Sequence, residues 1–184
     1  MFEANLIEAV LQGNVEAVNR FCAAVSEAVF RHALLVCGSS TDAADVAQVT
    51  ALHALRGLPG LQKRESGRAW LFRIARRVCR GMRMRSRRTL GISFDPADPA
   101  ADRPSPAGSP EHSLLIQEEL RRLGPALRAL PKSQRCILLL HDYEGLSTRE
   151  TARVMDLTEE NVRTQLSRAR RTVRERFREK LRLN

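Results

Sequence analysis

The sequence predicts an all-α protein built from two small helical domains joined by a flexible proline-rich linker, the second domain carrying a helix-turn-helix. Three observations predict it. Apolar residues recur at helical spacing through most of the 184 residues, and no stretch shows the alternation of a strand. Residues 94–110 read FDPADPAADRPSPAGSP and hold five of the eight prolines, a composition that neither sustains a helix nor buries a core. Residues 146–171 read LSTRETARVMDLTEENVRTQLSRARR, the signature of two short helices around a tight turn. A chain of this length suits two small domains, and the boundaries fall at 1–92, 93–110 and 111–184.

Taken in order, Leu6, Val10, Val18, Phe21, Val25, Val29, Ala33 and Val36 mark the apolar side of a first helical segment, broken at Gly13-Asn14. Gly38-Ser39-Ser40 ends it. Thr41 is expected to cap a helix from Asp42 to about Leu58, with Val46, Val49, Leu52 and Leu55 as one buried or docking stripe. Leu58-Pro59-Gly60 stops that helix. After a polar loop, a helix from about Arg68 to Arg88 sets Trp70, Leu71, Ile74, Val78 and Met82 on its apolar side and arginines on the other. Beyond the linker, Ser109-Pro110-Glu111 starts a helix to about Leu123, a second covers 124–129, and Pro131 opens a third with Ile137, Leu138 and Leu140 in its core.

The last element is the most informative. Ser147 and Glu150 form a capping box, Asp156 occupies the turn as a residue that tolerates left-handed backbone, and Thr158 caps the second helix. Glu159 and Glu160 complement that helix's dipole. Val162, Leu166, Ala169 and Val173 face inward at 3.6-residue spacing, which leaves Thr164, Ser167, Arg168 and Arg171 outward and Arg163 on the flank. A second helix of this design enters the DNA major groove. A helical hairpin with a solvated charged face is the plain alternative.

Charge points the same way. The net charge is +10 and the pI about 10.8, and the cations are clustered. Eight arginines lie between Arg73 and Arg88 with no acid among them, and a second basic block runs from Arg163 to Arg182. Two separate basic surfaces suit two contacts on one long polyanion. Cys22, Cys37, Cys79 and Cys136 form no CxxC pair and read as buried reduced thiols, and His32, His53, His112 and His141 lack ligand spacing. No metal site, cofactor or catalytic constellation is expected. The opening MFEANLIEA has no basic n-region, and no apolar run approaches the roughly 20 residues of a membrane span, so a soluble, cytoplasmic protein without membrane insertion is expected.

Three blocks in order, TDAADVAQVTALHAL (41–55), RAWLFRIARRVCRGMRMRSRR (68–88) and LRALPKSQRCILLLHDYEGLSTRETARVMDLTEENVRTQLSRARRTVRERF (127–177), resemble the extracytoplasmic-function class of bacterial sigma factors. The resemblance implies a subunit that binds core RNA polymerase and directs it to promoters, with no catalysis of its own. It implies docking on a coiled coil of the largest polymerase subunit through Asp42, Asp45, Gln48, Val49 and Leu52, and a further contact with the flap of the second-largest subunit. Minus-ten DNA would be held by Lys63, Arg64, Arg68, Trp70, Arg73, Arg76, Arg77 and Arg80, with a flipped-base pocket in the loop from Gln62 to Arg68. Minus-thirty-five DNA would be read by Arg163, Thr164, Ser167, Arg168 and Arg171. Arg170, Arg171 and Arg174 are expected to neutralise phosphates, while Trp70 anchors its helix in the core. An anti-sigma factor is the further partner implied. The chain departs from the family pattern at Val49, Ala51 and Arg77, where Glu, Phe and Asn are more usual. An autonomous helix-turn-helix regulator is the competing reading, and a nucleic-acid enzyme a third.

Overall fold

A computed structural model describes residues 3–61, 66–90 and 123–182 of the chain, and every described element is helical. The chain divides into two compact units, Met1–Arg103 and Pro104–Asn184. The expected linker at 93–110 and the helix expected from Glu111 lie outside the described residues.

In the first unit, α1 (Ala4–Leu11) and α2 (Val15–Cys37) are separated where the sequence places the break. Gly13 takes a left-handed φ of 80°, and Asn14 caps α2 by accepting the Ala17 N–H at 2.9 Å. A second left-handed glycine, Gly38 at φ 79°, ends α2. The next helix, α3 (Ser40–Gly57), starts earlier than expected: its cap is Ser39, whose Oγ accepts the Asp42 N–H at 3.2 Å, and not Thr41. Ser39 has the extended backbone a cap requires, whereas Thr41 is already helical. A 3₁₀ turn, Leu58–Gly60, closes α3, and α4 (Gly67–Leu90) follows.

The core forms where α2 lies along α3 and α3 along α4. Phe21, Val25, Val29, Leu71 and Phe72 are buried in it. Small residues on α3, chiefly Ala43, Ala47 and Ala54, bring the helices close, and the His32 and Phe72 rings meet at 4.7 Å between centroids. Phe72, absent from the expected apolar side, is 1% exposed, while the expected Ile74, Val78 and Met82 are only half-buried. None of the four cysteines forms a disulfide, all are half-buried rather than buried, and burial raises the Cys22 thiol pKa.

The described part of the second unit opens in a helix, α5, described over residues 123–128, and continues through α6 (Lys132–Leu138), a π-helical turn (Leu139–Tyr143), α7 (Thr148–Met155) and α8 (Glu159–Arg182). Ile137, Leu139, Leu140, Leu146, Val154, Val162, Leu166 and Ala169 fill its core. Arg135, buried on α6, donates to the carbonyls of Arg128 at 3.3 Å and Leu130 at 3.2 Å, satisfying chain ends where α5 meets α6. The π turn is closed by an i→i+5 bond from the Glu144 N–H to the Leu139 carbonyl at 2.9 Å.

Candidate functional site

On α3, the residues expected to dock a partner divide by exposure. Asp45, Gln48 and Leu52 are exposed, and Asp42 and Val49 are half-buried beside them. Leu52 is 49% exposed, one of few large apolar side chains left open among the described residues. The stripe expected from Val46, Val49, Leu52 and Leu55 does not stay on one side: Val46 is buried and Leu52 faces out. Steps of three residues lag a 3.6-residue turn by about 60° each, so three steps carry the row halfway round the helix. The core side is the row Ala43, Ala47, Thr50 and Ala54 instead. Ala51 is buried too, so its departure from the family pattern falls in the core.

Helix α4 is started by Ser66, whose Oγ accepts the Ala69 N–H at 3.1 Å while its carbonyl accepts that of Trp70 at 3.1 Å. Trp70 is 8% exposed and packs against the end of α3, where a Cβ on Gly57 would stand 3.4 Å from its Cζ2. It therefore anchors the helix. Arg68, Arg77 and Arg80 are exposed, and Arg73 and Arg76 half-buried. No acid occurs in the sequence of this helix, and the side chains described as exposed on it, Arg68, Arg77 and Arg80, are all cations. Lys63, Arg64 and most of the loop expected to hold a flipped base lie outside the described residues.

The helix-turn-helix forms from the local signals that the sequence carries. Ser147 Oγ accepts the Glu150 N–H at 3.2 Å, and Glu150 Oε2 accepts the Ser147 N–H at 2.9 Å, so the capping box is closed in both directions. Asp156 takes φ 58°, ψ 50° at the end of α7, and the Leu157 N–H reaches back to the Ala152 carbonyl at 3.0 Å. Thr158 caps α8 by accepting the Asn161 N–H at 3.2 Å. Val162, Leu166 and Ala169 are buried and Val173 half-buried, which sets Arg163, Thr164, Ser167, Arg168 and Arg171 on the exposed surface of one helix. Arg163 pairs with Glu159 at 3.1 Å, and Arg171 stands 4.0 Å from Glu175.

Arg170 departs from expectation. Its guanidinium points away from the outer face and grips Asp142 in the π turn, with Nε 2.9 Å from Oδ2 and Nη2 2.6 Å from Oδ1. The bonds donated by Arg170 hold the Asp142 carboxyl below the ordinary carboxylate range, with His141 adding to the effect, and Asp142 in turn raises the Arg170 pKa. Nothing in the spacing of α8 distinguishes Arg170 from its neighbours, because its partner lies 28 residues away on another element. An apolar groove of about 540 Å³, lined by Leu123, Leu127, Leu138, Val173 and Phe177 among others, runs beside the same helix. Among the described residues, no cluster of His, Cys, Asp or Glu could hold a metal ion, and no helix is long and apolar enough to cross a membrane.

Residues 23–89 match the family model described as Sigma-70 region 2, and residues 120–173 that described as Sigma-70, region 4. A probable RNA polymerase sigma factor, RfaY of Xanthomonas campestris, is 35% identical over 163 residues, covering 88% of this chain and 40% of its own length. The ECF RNA polymerase sigma factor BldN of Streptomyces coelicolor is 34% identical over 175 residues, covering 91% of this chain and 63% of its own. This chain thus spans less than two thirds of either relative. Among solved structures, the sigma factor RpoE of Bartonella quintana, in complex with the anti-sigma factor NepR, has the same fold, with a TM-score of 0.63 at 23% identity over 88% of this chain and 96% of that one. With region 2 in the first unit and region 4 in the second, the chain belongs to the extracytoplasmic-function class of the sigma-70 family.

Proposed function

We propose that the chain is a dissociable specificity subunit of bacterial RNA polymerase, acting in the cytoplasm and performing no catalysis itself. Residues 1–92 dock on core polymerase and handle the minus-ten element, 93–110 link, and 111–184 read minus-thirty-five as duplex. The observation that carries this reading is the coexistence of three unlike surfaces in one small chain. An acidic and partly apolar helix face (Asp42, Asp45, Gln48, Val49, Leu52) suits a protein. A helix with an all-cationic open side suits phosphates. A capped helix-turn-helix suits base edges.

On α4, Arg68, Arg73, Arg76, Arg77 and Arg80 supply the charge that retains minus-ten DNA, with Lys63 and Arg64 in the preceding loop and Trp70 fixing the helix beneath them. Extrusion of a base from the stack would be completed in that loop. On α8, Arg168 and Arg163 are the candidates for guanine recognition, Thr164 and Ser167 for neighbouring bases, and Arg171 for a phosphate. The apolar groove beside α8 is the surface we assign to the polymerase flap. Because a relative's fold is solved with an anti-sigma factor bound, we assign the same kind of regulator to this chain.

Run-off transcription with sigma-free core polymerase and a pool of genomic promoter fragments tests the proposal. Start sites that need this protein, and disappear with Arg168→Ala, are the expected result. If core polymerase does not bind the chain, the assignment fails. Tight, specific promoter binding without polymerase would favour an autonomous regulator instead.

A further inference from the structure

Arg170 sits among the arginines of α8, one residue before Arg171, yet its guanidinium is held by a carboxylate of another element. It meets Asp142 as a planar fork, 2.9 Å and 2.6 Å on the two oxygens. Such a fork fixes direction as well as distance. The same carboxylate is approached by His141 Nδ1 at 2.7 Å, and His141 Nε2 lies 3.5 Å from Thr148 Oγ1 at the first residue of α7. The π turn and α8 therefore meet at one carboxylate, and the His141 ring extends the contact to the start of α7.

Two consequences follow from elementary electrostatics. A guanidinium committed to a carboxylate presents almost no net charge to a phosphate, and Asp142 beside it repels one. An α8 tied at Arg170 is also restrained in its rotation about its own axis, and that rotation decides whether Thr164, Ser167 and Arg168 reach base edges together. Resting on the proposed reading of minus-thirty-five DNA by this helix, we infer that Asp142 and Arg170 are positioning residues for sequence readout, and that Arg170 is not a phosphate ligand. The arginine-rich side of α8 thus divides its labour: Arg168 and Arg171 face the duplex, and Arg170 sets the angle at which they face it.

The test uses the complete chain assembled with sigma-free core polymerase and a library of promoter duplexes randomised over the minus-thirty-five window. Wild-type holoenzyme selects an enriched duplex, and binding to it and to a duplex scrambled in that window is then measured across a salt series. In the Asp142→Asn/Arg170→Gln double variant both charges are gone, Asn keeping the size of Asp142 and Gln the amphipathic stem of Arg170 without its guanidinium. Discrimination between the two duplexes should fall about tenfold, the scale of one misplaced base contact. The slope of log affinity against log salt should stay at the wild-type value, because a pair without net charge releases no counterion. Asp142→Asn alone frees a cation, so its slope on the scrambled duplex should steepen by about 0.9, one phosphate's worth. The charge swap Asp142→Arg/Arg170→Asp should recover discrimination. Far-ultraviolet circular dichroism identifies a variant that has not folded, and the swap then decides. A double variant that discriminates as well as wild type overturns the positioning role, and one whose slope flattens by about 0.9 makes Arg170 a phosphate ligand. If wild-type holoenzyme enriches no duplex, the minus-thirty-five reading itself has failed, before any variant is compared.

Discussion

Two arginine-rich helices of equal length, α4 and α8, 24 residues each, use their charge in opposite ways. Helix α4 has no acid of its own, and its cations stand over a core anchored by Trp70, Leu71 and Phe72. Helix α8 carries Glu159 and Glu175 as partners for Arg163 and Arg171, and takes Asp142 from outside for Arg170. A row of cations with no acid on its own helix attracts any polyanion and discriminates little. A row partly neutralised from within holds fewer phosphates, but its remaining side chains are held in defined directions. The difference matches the tasks proposed for them, retention of a strand that is being opened against reading of an intact duplex.

The largest effect that would test this contrast is structural. Phe72→Ala removes a ring that is 1% exposed under the α4 arginines and should cost about 3–5 kcal/mol in denaturant unfolding of the first unit. A loss below 1 kcal/mol would mean that α4 is not held by this core. Next comes readout. Arg168→Ala should lower affinity for the cognate duplex by about 1–3 kcal/mol and leave scrambled duplex less affected, whereas Arg77→Ala/Arg80→Ala should weaken both duplexes alike and flatten the salt slope. Equal, sequence-independent losses from both helices would erase the proposed distinction.

Smaller effects sharpen it. Ser147→Ala removes the hydroxyl half of the capping box, leaving Glu150 on the backbone N–H of residue 147, and should lower thermal stability of the second unit by about 1 kcal/mol, readable in calorimetry. The Asp142–Arg170 fork is partly exposed, at 35% and 42%, so its contribution to stability is on the order of 0.5–1 kcal/mol after screening. Its pH dependence has a definite sign. The folded Asp142 pKa is lowered, so the contribution is complete above the ordinary carboxylate range and is lost as pH falls through the depressed value. The melting difference between wild type and Asp142→Asn should be constant at neutral pH and close only in acid. A difference that closes already near neutral pH would mean that the Asp142 carboxylate is not the controlling group.

Local signals explain why much of the second unit was legible. Ser147, Glu150, Asp156 and Thr158 act on backbone groups within a turn of themselves, and each does in the fold what its type and position predict. The same holds for Gly13-Asn14 and Gly38. Legibility fades where a choice depends on a distant partner. Ser39 and Thr41 are both acceptable caps by type, and the backbone of the preceding turn selects Ser39. The row Val46, Val49, Leu52, Leu55 is apolar throughout, yet its slow rotation around the helix buries one end and exposes Leu52.

By itself the sequence determined the helical class, the breaks between helices, the outward set on α8 and the segregation of positive charge, because caps, turns and 3.6-residue periodicity act over a few residues. Only the tertiary structure decided that Phe72 rather than Met82 completes the first core, and that Arg135 is buried on two carbonyls. It also decided that Arg170 pairs with Asp142, 28 residues away on another element. An arginine's identity states its charge and reach, but its direction is chosen by whichever carboxylate or carbonyl the folded chain brings within hydrogen-bonding distance.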